Sequence, residues 1–323
     1  MNVFGMVTTR HSHAYTAYAL ESFFRTTPLG LTDLFVLIDN DGTYPGTPVA
    51  AGRAVTRLTN AAPLGFAANV NQVLRLARAR RADLFFLNND LIFPPGWLEP
   101  LLSGPVGLLS PVSNFQFPDR VAGWSCGPVL DLADYQGHED QLRALVRAHQ
   151  ARPTGYRPVL KLTFFGIEIP TAIQEAVGEL DEGFGRGGGE DYDYCLRCHR
   201  AGFPVAWALG SYVLHFMGKS TWRGAETAEQ RRQRDQAYLA AFRAKWGAAL
   251  LEAVALGRTE KLHALPGVGE ALARGDFRSA VEKALHREAG RPAPAERGTA
   301  PQAAVQEAVP VRGIPGVIRP SGT

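Results

Sequence analysis

Asp83-Leu-Phe-Phe-Leu-Asn-Asn-Asp-Leu-Ile-Phe-Pro-Pro-Gly-Trp-Leu98 is the stretch from which the fold of this chain is read. Its apolar run, Leu84 to Leu87, is aromatic-rich and too short for a helix, the pattern of a strand buried on both faces of a parallel sheet. Asn88, Asn89 and Asp90 follow at once. Polar residues at the carboxyl end of a central α/β strand stand where such sheets bind ligands. An acid there, flanked by amides, is suited to holding a divalent cation through oxygen. The plainer alternative is a turn in which Asn89 and Asp90 satisfy nearby backbone N–H groups. Pro94, Pro95 and Gly96 then turn the chain, since proline has no N–H to give to a ladder.

Working back from this strand, Val3 to Thr9 reads as a first strand, followed after Arg10 and His11 by a helix through Phe24. Leu34 to Ile38 is a second short apolar run, and it too ends in polar residues, Asp39-Asn40-Asp41-Gly42. Ala54 to Leu58 reads as a third strand and Phe66 to about Arg78 as a helix. Such alternation predicts an α/β fold with a Rossmann-like, mostly parallel central sheet flanked by helices.

Working forward, the pattern loosens after Val106 to Leu109. Residues 110–130, rich in Pro, Gly, Ser and aromatics, read as a loop beside the cleft. A polar helix is expected over Glu139 to Ala151, a strand over Val159 to Ile169, a short helix over Thr171 to Val177, and a helix from Glu190 to Ala201. Val205 to Ala208 and Tyr212 to Phe216 read as two short strands. Thr227 to Trp246 is a long charged helix expected on the outside, with the helical region continuing through Ala248 to Leu256. The organisation expected is one α/β domain over 1–250, a helical extension over 251–289 with two small helices around Pro266-Gly267, and a disordered Pro/Ala-rich tail over 290–323.

The 323 residues carry 34 basic and 31 acidic side chains, a formal net charge of +3, which gives no mandate for nucleic acid. No apolar run is long enough to span a bilayer, and Met1 to Arg10 lacks a signal-peptide layout, so the expectation is a cytoplasmic protein whose outer contact with a membrane stays open. Three cysteines, Cys126, Cys195 and Cys198, do not make a disulfide framework.

Three constellations carry chemistry. Residues 183–189 hold five glycines in seven positions, directly before Glu190 and Asp191. A glycine run beside paired acids suggests a mobile lid, while the acids by themselves also suit the first turn of a helix. Cys195-Leu-Arg-Cys198-His199 has the spacing of covalent haem attachment, but Tyr192, Cys195, Leu196 and His199 share one helical face, which favours core packing. Finally, His215 ends an apolar strand, and Gly218, Lys219, Ser220 and Thr221 supply a free backbone, a cation and two hydroxyls suited to phosphate.

Taken in order, these pieces resemble the family 2 glycosyltransferases of the GT-A fold over residues 1–250. The matching pieces are Val7-Thr-Thr-Arg10, Ile38-Asp-Asn-Asp-Gly42, Asn60 with Gly65-Phe-Ala-Ala-Asn-Val-Asn71, Leu87 to Leu98, Leu180-Asp-Glu-Gly-Phe184, Gly189-Glu-Asp-Tyr-Asp-Tyr-Cys-Leu-Arg197 and His215. The resemblance implies an inverting transferase that moves a sugar from a nucleotide-sugar donor to an acceptor hydroxyl by single displacement. It implies that Thr8, Arg10, Asp39, Asn71, Asn88 and Lys219 lie by the donor, with Asp39 at the base or ribose. Asn88 and Asp90 occupy the family's Asp-x-Asp signature, so Asp90 and His215 are implied metal ligands for Mn²⁺ or Mg²⁺. Asn88 departs from the pattern and removes one negative charge. Asp191 matches the general base and Glu190 its neighbour.

Two other readings compete. A noncatalytic sugar- or nucleotide-binding module on the same fold is one, because a fold does not fix its chemistry. A sugar nucleotidyltransferase is the other; it calls for a glycine-rich phosphate loop after the first strand, and Thr8 to His13 has no glycine. Acceptor contacts are expected from the Ser110 to Leu130 loop and from around Trp222.

Overall fold

The structure is a computed structural model that describes residues 1–46, 55–115, 131–152, 155–219 and 226–289. Cys126, Ser220, Thr221, Trp222, residues 116–130 and the 290–323 tail lie outside the described residues.

The first hundred residues follow the expected alternation: β1 (Asn2–Thr8), α1 (His13–Thr26), β2 (Leu34–Asp39), β3 (Val55–Thr59), α2 (Phe66–Arg80) and β4 (Asp83–Leu87). These strands lie in the order β3-β2-β1-β4, every neighbouring pair parallel. The alternating strand period distributes their side chains to two layers. Val3, Val7, Leu84 and Phe86 face α2 through Ala67, Val70, Val73 and Leu74. Phe4, Met6, Phe85 and Leu87 face α1 through Ala19, Leu20 and Phe23. Both faces are thus covered, which is why Leu84 to Leu87 is apolar without a break.

Next come β5 (Leu91–Ile92), α3 (Glu99–Leu102), β6 (Leu108–Ser113), α4 (Leu132–Tyr135), α5 (Glu139–Gln150), β7 (Tyr156–Pro158), β8 (Gly166–Ile169), α6 (Thr171–Val177), α7 (Glu190–Ala201) and β9 (Val205–His215). The sheet continues from β4 as β8-β6-β9-β5, with β7 also paired to β9. Strand β8 runs antiparallel to β4 and β6, whereas β6 and β9 are parallel.

Three expectations need correction here. Residues 110–113 are strand, not loop: Ser110 and Pro111 belong to β6, whose register against β9 shifts between Pro111 and Val112. A proline gives no N–H to the ladder, and its strand accommodates it with an irregularity. The expected strand over Val159 to Ile169 is strand only from Gly166, and residues 159–165 run as an irregular strap beneath the site. The two short strands read at 205–216 are one strand, β9.

Helix α8 (Ala228–Leu250) is charged, yet Phe242, Trp246 and Leu250 recur every fourth residue and are buried. That stripe packs with Phe184 and Leu196 and with the C-terminal helices α9 (Thr259–His263), α10 (Val268–Ala273) and α11 (Phe277–Ala289). Among the described residues three helices therefore stand where two small ones were expected, and the third, α11, runs 13 residues. Residues 251–289 share one apolar cluster with α7 and α8. No described helix is long and apolar enough to cross a membrane.

Candidate active site

The sheet brings its strand ends to one edge. Thr8 at the end of β1 pairs in register with Asp39 at the end of β2, and β4 ends beside them at Leu87. Beyond Leu87 the chain turns through Asn88, Asn89 and Asp90 and re-enters the sheet as β5, pairing Leu91 with His215 of β9. The Phe216 N–H donates to the Asp90 carbonyl at 3.0 Å, so main-chain pairing alone sets Asp90 against His215.

Asp90 is fully buried, and its Oδ2 accepts the Lys219 backbone N–H at 2.9 Å. Its Oδ1 lies 3.4 Å from His215 Nε2. Neither of those two atoms has a hydrogen-bond partner among the described residues. A buried carboxylate oxygen and a buried imidazole nitrogen left facing one another fit a divalent cation, which binds each at about 2.1 Å. Among the described residues no group of three or more His, Cys, Asp or Glu gathers here, so Asp90 and His215 by themselves leave most of a cation's coordination shell to other ligands.

His215 is held on three sides. Asn114 donates to its carbonyl at 3.2 Å and accepts its N–H at 2.9 Å, and the Phe165 ring stacks on the imidazole with centroids 4.9 Å apart. Met217 and Gly218 then both adopt positive φ, 55° and 69°. The resulting tight turn folds Lys219 back to Asp90, and its ammonium pairs with Asp131. Left-handed backbone at a non-glycine residue is strain of the kind found at functional sites.

Asn89 is buried where the resemblance has only a spacer. Its amide donates to Ser12 Oγ at 2.8 Å and to Thr16 Oγ1 at 2.7 Å, and Thr16 Oγ1 meets Thr8 Oγ1 at 2.7 Å. Thr8 is thus spent in an internal network that fixes the Asn88–Asp90 turn to α1. The Asn88 N–H donates to the Phe165 carbonyl at 2.7 Å.

On the β2 side, Asp39 is fully buried and accepts the N–H groups of Thr43 and Tyr44, both at 3.2 Å, and the Arg57 guanidinium at 2.5 Å. Arg10 pairs with Asp41 at 3.1 Å. Asn71 lies elsewhere: its amide donates to the Leu180 carbonyl and to Glu182, and its oxygen accepts the Leu180 N–H. It clamps the chain ahead of the glycine run.

Asp191 lies in the first turn of α7, where the Tyr192 N–H donates to it at 2.8 Å and the Phe164 N–H also turns to it. Burial, then the charge of Glu190, pushes its carboxyl well above the usual carboxylate range, and Lys161 pulls it back. Phe164 and Phe165 therefore join the parts: one meets Asp191, and the next stacks on His215 and takes the Asn88 N–H. Asp191, His215 and the Asp90 turn meet this strap from separate parts of the sequence.

The glycine run, expected from its composition as a mobile lid, touches α2 and α8. The Arg186 carbonyl accepts the Phe66 N–H at 3.0 Å, and a Cβ on Gly65 would come within 2.5 Å of the Gly185 carbonyl oxygen. Gly188 has φ 120°, and a Cβ there would fall 2.7 Å from the Tyr238 ring. Left-handed backbone and close approach account for these glycines. Glu190 turns its carboxylate back to accept the Gly188 N–H at 2.5 Å. Cys195 and Cys198 are buried free thiols, as core packing predicts.

Sequence reasoning did not single out Arg57, Asn114, Lys161, Phe165 or Arg234 as site residues. Each is an ordinary residue on its own element and gains meaning only from what is packed beside it.

No family model matches the chain, and no curated protein matches its sequence. Among solved structures it is similar to GalNAc-T7 in complex with UDP, GalNAc and Mn²⁺, with a TM-score of 0.51 and 16% identity over 87% of this chain. The fold is that of the GT-A glycosyltransferases. The match spans 54% of the GalNAc-T7 chain. The mannosyltransferase PcManGT of Pyrobaculum calidifontis, solved with GDP-Man and Mn²⁺, gives a TM-score of 0.48 at 15% identity, covering 90% of this chain and 87% of its own. TarS 1-349 of S. aureus gives 0.46 at 11%, covering 90% and 92%.

Proposed function

We propose that this GT-A chain is an inverting glycosyltransferase that moves a sugar from a nucleoside-diphosphate sugar to an acceptor hydroxyl, assisted by a divalent cation. The observation that carries the reading is the pair of facing, unpartnered atoms on Asp90 and His215 at the carboxyl edge of the sheet, joined to Asp191 through Phe164 and Phe165. The crystallised GalNAc-T7, which shares the fold, contains UDP and Mn²⁺.

In this reading Asp90 and His215 hold Mn²⁺ or Mg²⁺, with imidazole tilting the choice to Mn²⁺. The cation, when bound, neutralises negative charge that grows on the departing diphosphate. Lys219 leaves Asp131 to meet the same diphosphate, and Asn88 stands at the mouth of the turn. Asp39, paired with Arg57, and Arg10, paired with Asp41, receive the nucleoside end.

Asp191 takes the proton from the acceptor hydroxyl as its oxygen attacks C1. The C1–O bond to the diphosphate breaks in the same displacement, on the opposite face, so configuration at C1 inverts. A carboxylate raised above its ordinary range is a stronger base near neutral pH. Glu190 holds the loop and does not reach outward.

The test is Asp191→Asn in the full chain with a panel of nucleotide sugars and acceptors. Binding of UDP or GDP with Mn²⁺ should persist within about threefold while transfer falls by 10³ or more, on the order of 4 kcal/mol. Equal loss of both removes the base role. Absence of metal-dependent diphosphate release in the wild type favours the noncatalytic binding module.

A further inference from the structure

Two cations act on the Glu190–Asp191 pair, one on each acid, and neither belongs to the motifs that carry the resemblance. Arg234 of α8 donates from Nη1 to the Gly187 carbonyl at 3.1 Å and from Nε to Glu226 at 3.1 Å. Glu226 is only 3% exposed at its side chain, so the guanidinium is anchored from behind. Its charge acts on Glu190, whose own carboxylate holds the Gly188 N–H. Tyr238, one turn further along α8, closes over Gly188 and Gly189.

The second cation, Lys161, sits in the strap that precedes β8. Its ammonium donates to the Val254 carbonyl, lies 4.4 Å from the centroid of the Tyr192 ring, and acts on Asp191. Two adjacent carboxylates at the head of a helix repel one another once buried, and each needs opposite charge to stay. The helix dipole supplies part of it. The remainder comes from Arg234 and Lys161, both of them tied to residues beyond position 225.

We propose that Arg234 and Lys161 are positioning residues for Asp191: Arg234 fixes the glycine turn that aims α7, and Lys161 fixes the carboxylate against the Phe164–Phe165 strap. The C-terminal region is then a wall of the site, because Arg234 and the Val254 carbonyl both come from it. The catalytic consequence rests on the transferase reading; the structural one does not.

The groups that face the pair among the described residues are Tyr192, Asp193 and Cys195 on α7 itself, Arg234 and Tyr238 on α8, and Lys161 with the Phe164 N–H on the strap; Asp235 acts on Tyr238 and pairs with Arg234. The test titrates Asp191 directly in the substrate-free full chain, using carboxyl-¹³C-labelled aspartate and assigning the resonance by its loss in Asp191→Asn. Lys161→Met should raise its midpoint by about half a pH unit or more, since it removes a positive charge that acts on Asp191, and Arg234→Gln should lower it by a similar amount, since Glu190 then ionises less readily and repels Asp191 less. Arg234→Lys, which keeps the charge, should restore most of the difference. With active donor and acceptor, the same Gln and Met variants should lower kcat about tenfold while leaving Mn²⁺-dependent UDP binding within twofold.

An unchanged Asp191 midpoint in folded Arg234→Gln and Lys161→Met overturns the proposal. If Arg234→Gln does not fold, Lys161→Met and Arg234→Lys decide on the same readout. A protein that shows the shifts but transfers no sugar overturns the transferase reading and leaves the positioning intact.

Discussion

The Phe165 ring lies stacked on the His215 imidazole, centroids 4.9 Å apart and planes inclined by 26°. Phe165 is buried in the α1-side layer, so the core itself sets the imidazole plane and aims Nε2 at Asp90. Phe165→Leu, which keeps much of the volume, should cost about 1.5 kcal/mol or less in urea unfolding. It should nevertheless weaken Mn²⁺-dependent UDP binding by about tenfold, as loss of support for a metal ligand does. Calorimetric titration checks this, and unaltered Mn²⁺ dependence counts against His215 as a ligand.

Asp90→Asn and His215→Ala address the cation directly. Each should reduce Mn²⁺-dependent UDP binding by tenfold or more while leaving the weaker binding in excess chelator unchanged. Removing Mn²⁺ from the wild type should reproduce both variants, and thermal shift with and without the metal reads the difference.

The Lys219–Asp131 ion pair competes with the proposed diphosphate contact. Asp131 is 62% exposed at its side chain, so little structure depends on keeping it charged. Asp131→Asn should tighten UDP binding by about twofold to tenfold, with the gain shrinking at high salt. Equal affinity for both proteins places the ammonium away from the phosphates.

Transfer should rise with pH. Asp191 must be ionised to accept a proton, and burial with the neighbouring Glu190 charge raises its pKa, so the acid limb of kcat/KM should lie well above pH 4. A rate already flat between pH 5 and pH 8 at saturating metal contradicts this assignment.

Glu168 on β8 is 6% exposed, its Oε2 has no partner among the described residues, and burial, then the charge of Asp83, pushes its carboxyl up to about 8. The folded chain then binds a proton that the unfolded chain loses near 4.5, so this contribution to stability is full below 4.5 and declines as pH rises toward 8. Glu168→Gln should match the wild type at pH 5 and exceed it by about 1–3 kcal/mol at pH 8 in urea unfolding. An equal difference at both pH values shows that Glu168 does not titrate in this range.

Much of the frame was legible in the sequence. Leu84 to Leu87 announced a doubly buried strand, the polar residues Asp39 and Asp90 marked where β2 and β4 end at one edge of the sheet, and helices α1, α2, α5, α6 and α7 lie close to where periodicity put them. Periodicity reports burial, and burial of a regular element is written locally in the chain.

The misread segments are those where burial and regularity part company. Ser110, Pro111 and Ser113 look like loop yet are buried in β6, because neighbouring strands cover them. Leu162, Phe164 and Phe165 look like strand yet form the strap, because the helix–sheet interior takes their side chains without a ladder. The glycines before Glu190 signalled freedom, whereas the positive φ values and the nearness of Tyr238 give them a packing reason.

By itself the sequence determined which side chains are chemically equipped: Asp90, His215, Asp191 and Lys219. Only the tertiary structure decided which atoms face one another. The Asp90–His215 pair follows from strand register between β5 and β9, Thr8 and Asn71 are drawn into internal hydrogen bonds, and Arg234 and Lys161 meet the acid pair through helix packing. Contacts between residues far apart along a chain depend on register and on the packing of whole layers, and neither is encoded in the local run of residues.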